Sequence, residues 1–177
     1  MGALAGPYAA AAILLGVGGA LKFRRPTPTA TALGSVGLPR SIALVRALGA
    51  GEVVIALGAV TVGHVVFALL VGLSYLAFAA FVLLALTRGG AISSCGCFGE
   101  PDTPATPVHV VLDVAAAAVA LAVAAGGGSH WRAVLGDQPL AGVPFVVLTA
   151  TSAYLGYVLL TVLPTVSRRA AVAGDRD

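Results

Sequence analysis

The two cysteines of this 177-residue chain stand one residue apart, in the string Cys95-Gly96-Cys97-Phe98-Gly99. A thiolate is the nucleophile of thiol–disulfide exchange, and two adjacent thiols can hold a disulfide or hand one on. Glycine between them gives the backbone the freedom that an i, i+2 bridge needs to bring its sulfurs to bonding geometry. Strained, exposed disulfides are more oxidising and exchange more readily than structural ones, so the spacing points to a redox-active pair. A static bridge or free thiols that merely shape the loop are the alternative, but a bridge across so small a loop removes little unfolded-state entropy. A metal site would need three or four ligands, and beyond the cysteines the chain offers only His64, His109 and His130, so no metal is expected.

Ionisable groups inside apolar runs form the second set. Glu52 and Asp113 interrupt such runs, and Lys22 and Arg46 stand at the ends of others. A charge at membrane depth is costly and marks a functional position with a partner to be named. Glu52 can pair with Lys22 or Arg46, or carry a proton, and a structural ion pair and a proton-handling role both fit. Asp113 follows His109 by four positions, which puts the two on one helix face about a turn below the loop that holds the cysteines. They can form a proton relay, tune a thiolate, or cap each other.

These residues must be positioned by elements built for lipid. The chain is 59% hydrophobic and 10% charged, against roughly a quarter charged in soluble domains. Five apolar blocks account for this, and they predict an all-α, polytopic membrane helical bundle with spans near 3–22, 42–62, 65–86, 108–125 and 143–163 in a single integral membrane domain, 1–177. The second block reaches spanning length only if it starts near Ser41, and the fourth relies on alanines. Lys22 to Arg25 follow the first block where a cleavage site would need small residues, so it reads as a retained helix. Gly6 stands where a myristoylation signal wants Ser or Thr. The net charge of +3 comes from cations flanking apolar blocks rather than from a basic face, which argues for the lipid bilayer as partner and against nucleic acid.

The connections differ in kind. A basic segment with Pro and Thr, 23–40, ends in a Gly37-Leu38-Pro39 turn. A tight turn at Gly63-His64 makes the second and third helices antiparallel neighbours. The long connection 87–106 holds both cysteines, and Thr106 and Pro107 predict a capped helix start at its end. Small-residue ladders, Ala12-Gly16-Ala20 and Ala116-Ala120-Ala124, predict packed faces on the first and fourth spans. With five spans, Lys22, Arg24, Arg25, Arg40, Arg88 and the tail arginines fall on one side and only Arg132 on the other. The chain is therefore expected in the cell membrane with an extracytoplasmic N-terminus, a cytoplasmic C-terminus and a cytoplasmic cysteine loop.

Lys22 at the end of the first span, Gly37-Leu38-Pro39 before the second, Glu52 within it and above all Cys95-Gly96-Cys97-Phe98-Gly99 before the fourth resemble the methylamine-utilisation protein MauE family, related to DoxX-type redox-associated membrane proteins. The resemblance runs over about residues 3–125. It implies a four-helix core, to which the last apolar block adds a fifth C-terminal transmembrane helix. It also implies association with thiol and disulfide chemistry, assisting disulfide formation or maturation of partner proteins, methylamine dehydrogenase among them. The partner would be thioredoxin-like or carry a disulfide, and substrates in the family are extracytoplasmic. Cys95 and Cys97 carry over as the redox pair, Glu52 and Lys22 as matching positions. Two cysteines cannot relay electrons across a bilayer by thiols alone, so a membrane quinone or a second protein is called for. A non-enzymatic membrane scaffold or assembly subunit is the alternative function, and a small proton-coupled transporter using Glu52 and Asp113 the third.

Overall fold

The computed structural model describes residues 2–87, 106–128, 135–136 and 139–162. Its helices are α1 (Gly2–Arg24), α2 (Pro26–Ser35), α3 (Ile42–Thr61), α4 (Val65–Thr87), α5 (Pro107–Ala125) and α6 (Val143–Thr161), the last preceded by a short 3-10 turn, Pro139–Gly142. All but α2 are long and apolar enough to cross a membrane. The five expected spans are therefore present, with bounds within a few residues of those read from the sequence.

The two doubtful spans are secured at their starts. Ser41 begins the second, and its hydroxyl accepts a hydrogen bond from the Leu44 amide at 3.2 Å, meeting one of the orphan donors of the first turn. Pro107 opens α5 after Thr106, whose backbone is extended as a cap requires. The Thr106 side chain makes no capping bond, however, because His109 engages its hydroxyl instead. The segment 23–40 departs from a plain connection: it contains α2, ten residues and about 15 Å long, too short to span. Pro26 and Pro28 both fall in its first turn, where a missing N–H costs nothing.

Alternating helix directions fix which residues meet. Gly16 faces Ala56 while Gly19 faces Gly49 and Glu52, so α1 and α3 run antiparallel. Gly63, at φ 69°, turns the chain from α3 into α4, and an isolated bridge from His64 to Gly128 ties the start of α4 to the end of α5. Gly6 lies near Phe145 and Thr149, and Gly156 near Leu14, so α6 runs parallel to α1. The ends of α1, α4 and α6 and the starts of α3 and α5 thus share one end of the bundle, the Lys22 end.

Tyr8, Ala12, Leu15, Ala59, Val71, Ala117 and Ala120 build the core. Both small-residue ladders contribute to it, with Ala12 and Ala120 fully buried and Ala124 nearly so. In lipid the gain comes from close van der Waals fit rather than from a hydrophobic drive between helices. Across the core the Tyr75 hydroxyl donates to the Ala11 carbonyl at 2.7 Å, joining α4 to α1. Tyr75→Phe is expected to lower stability by roughly 0.6 kcal/mol, the average worth of such intramembrane bonds, as read by unfolding in mixed micelles.

Candidate functional site

Between α1, α5 and α6, with contributions from α3 and α4, lies a cavity of about 270 Å³. Its size is close to the lower end of ligand cavities, roughly 300–1,000 Å³. Of the ionisable candidates outside the cysteine string, Lys22, Glu52, His109 and Asp113 line it and Arg46 does not. Each of the four that line it is buried. The antiparallel course of the helices explains the convergence, because Lys22 ends α1, His109 and Asp113 begin α5, and Glu52 lies opposite Gly19.

The sequence left Glu52 a choice of partner, and the geometry resolves it. Lys22 Nζ donates to Glu52 Oε1 at 2.7 Å and to Oε2 at 2.8 Å. Arg46 is exposed instead. The approach depends on Gly19 and Gly49, which bring the α1 and α3 backbones so close that a Cβ on either would stand 2.6 Å from the other's carbonyl oxygen. The Lys22 ammonium also lies 4.2 Å from the centre of the Phe78 ring, a cation–π contact strengthened by desolvation. Tyr75 meets Phe78 edge to face at 5.8 Å. Charge, ring and hydroxyl therefore support one another along one wall.

His109 closes the same end of the cavity. Its Nε2 lies 3.2 Å from the carbonyl of Leu160 and its Nδ1 2.8 Å from the hydroxyl of Thr106. A carbonyl only accepts, so Nε2 carries a proton, and in the neutral ring the Thr106 hydroxyl donates to Nδ1. The Leu160 carbonyl belongs to the last turn of α6, where carbonyls lack a donor within their own helix. His109 thus joins the start of α5 to the end of α6. Asp113, one turn deeper on the same face, borders the cavity floor.

Apart from the hydroxyls of Tyr75 and Ser152, the remainder of the lining is apolar, Pro7, Ala10, Leu14, Leu112 and Val119 among it. The cavity is consequently amphipathic along the membrane normal: ionisable groups gather toward the Lys22 end, and a mostly hydrocarbon lining extends from there. Sequence reasoning missed Tyr75 and Phe78, since aromatics in an uncharged span read as packing, and it missed the α6 residues Ser152 and Gly156, which carry no mark of their own. Cys95 and Cys97 lie outside the described residues. The connection that holds them leaves α4 at Thr87 and joins α5 at Thr106, both at the polar end of this cavity.

No curated protein and no solved structure matches the chain. A family model described as "Methylamine utilisation protein MauE" matches residues 3–129, a segment that takes in α1 to α5 and stops before α6.

Proposed function

The chain belongs to the MauE family of methylamine utilisation proteins, and from that premise we propose that this multi-pass membrane protein assists disulfide formation or maturation of a partner protein through thiol–disulfide exchange at Cys95 and Cys97. One observation carries the reading. The chain's two cysteines, one residue apart, fall in the sequence between α4 and α5, and the end of α4 and the start of α5 lie on the side of the bundle toward which Lys22, Glu52, His109 and Asp113 line a cavity.

In the exchange, a partner thiolate attacks one sulfur of a Cys95–Cys97 disulfide, forming a mixed disulfide and releasing the other cysteine as a thiolate. A second partner thiolate attacks the mixed bond, so the partner departs oxidised and the chain keeps two thiols. Two electrons then remain on the chain, and a membrane quinone or a second protein must remove them. The buried groups at the polar end are suited to handle the accompanying protons. The positive charges of Lys22, Arg24, Arg25, Arg40 and Arg88 favour a cytoplasmic location for this end, with an extracytoplasmic N-terminus.

Single variants Cys95→Ser and Cys97→Ser are the direct test. One of them is expected to trap a partner as a mixed disulfide that reductant dissolves, and the double variant to trap none. Maturation of the partner that survives loss of both cysteines would overturn the proposal in favour of a scaffold. Labelling of the two thiols by a membrane-impermeant reagent, only after lysis, is the result expected for a cytoplasmic loop.

A further inference from the structure

The cavity's seam with the lipid gives it a more specific role. On its α5 wall Ala115 is exposed, and on its α6 wall so is Ser152, although both line the cavity. Both residues lie mid-helix, at hydrocarbon depth. Among the described residues α5 and α6 are joined by the His109–Leu160 bond at the polar end, while α6 otherwise packs against α1. The mouth is therefore a slot between α5 and α6, open to acyl chains and closed toward the Lys22 end.

The occupant's chemistry follows from the lining. From Pro7 to Lys22 the cavity follows α1 for fifteen residues, about 22 Å of helix, which suits a molecule with a long tail. Lys22 is the lining's lysine and is already held by both oxygens of Glu52, so an anionic head finds its charge neutralised and meets Asp113 besides. The ammonium has three N–H groups, of which Glu52 takes two. What remains is a donor for a neutral carbonyl oxygen, beside the Phe78 ring.

We propose that this cavity binds an isoprenoid quinone drawn from the bilayer through the α5–α6 slot, its carbonyl-bearing ring at the Lys22 end and its tail toward Pro7. The shape of the site and the mutual compensation of Lys22 and Glu52 stand on the geometry; the choice of a quinone among tailed molecules rests on the thiol–disulfide reading. A bound quinone supplies a two-electron, two-proton acceptor. Two cysteine thiols give up two electrons and two protons as their S–S bond forms, and the quinone takes both pairs to become the hydroquinone.

The α6 helix, beyond the family-matched segment, then acts as one jamb of the slot. Ser152→Phe would obstruct it from an exposed position where the fold has room, while Leu148→Phe, on the exposed face of α6 and outside the lining, is the control. The measurement is thermal stabilisation of the purified full chain by a decyl-tailed benzoquinone, against decyl phosphate, decyltrimethylammonium and decanol. Saturable stabilisation by the quinone alone is expected, weakened about tenfold or more by Ser152→Phe and unchanged by Leu148→Phe. It is also expected to persist in the Cys95→Ser/Cys97→Ser double variant, so loss of thiol function and loss of the site are separately visible. No saturable response from folded protein, an equal response to another head group or to decanol, or a quinone response that Ser152→Phe leaves intact would each overturn the proposal.

Discussion

Lys22→Met is expected to destabilise the bundle by roughly 3–5 kcal/mol, the usual cost of leaving one partner of a buried ion pair uncompensated. Glu52 is only 7% exposed and has both carboxylate oxygens committed to Lys22. Removing the ammonium strands that carboxylate among apolar neighbours and also empties the space beside Phe78. Adding Glu52→Gln to Lys22→Met is expected to recover much of the loss, because a buried pair replaced on both sides no longer carries an unmatched charge. Equilibrium unfolding of the single and double variants in mixed micelles checks this, and a strictly additive cycle would show that the two groups do not act as a pair.

A glycine substitution a few residues away is expected to act through sterics alone. Gly19→Ala places a methyl group 2.6 Å from the Gly49 carbonyl and 2.7 Å from Glu52 Cβ, and neither neighbour is the yielding tip of a side chain. The α1 and α3 backbones must move apart, with a loss of roughly 1–3 kcal/mol typical of overpacking and a loosening of the Lys22–Glu52 contact in addition. Gly51, two positions along the same helix as Gly49, has nothing within 4 Å of the point where a methyl group would stand. There the helix-forming advantage of alanine is free to act, and Gly51→Ala is expected to be neutral or stabilising by up to about 1 kcal/mol. The same unfolding measurement distinguishes a seam that needs glycine from a helix that merely contains it.

These two positions also show what could be read from the sequence and what could not. The apolar blocks declared the spans because transfer into lipid depends on composition over a window, a property of the string itself. The His109–Asp113 face was legible for a similar reason, since a four-residue spacing is local. Partner choice was not: Lys22 and Arg46 are both cations at span ends, Arg46 is much the nearer to Glu52 along the chain, and only the close approach at Gly19 and Gly49 selects Lys22. Pro26 and Pro28 concealed α2 because the residue that breaks a helix interior also suits its first turn. Thr106 stood where a cap should stand, yet its hydroxyl serves His109, a contact set by where α6 ends. Tyr75 reaches the Ala11 carbonyl 64 positions away, and nothing in its own neighbourhood announces that.

The pairing of Lys22 with Glu52 bears on how the protein reaches the membrane at all. A lone charge at the centre of an inserting helix costs roughly 2.5–3.5 kcal/mol even by the most lenient scales. Glu52 lies ten residues past the start of α3, deep in its own span, whereas Lys22 lies near the end of α1, where a long side chain can extend toward water. Synthesis runs from the N-terminus, so α1 is in the bilayer before α3 emerges. The helix that tolerates its charge alone goes first, and the helix that does not arrives with its counter-ion already waiting.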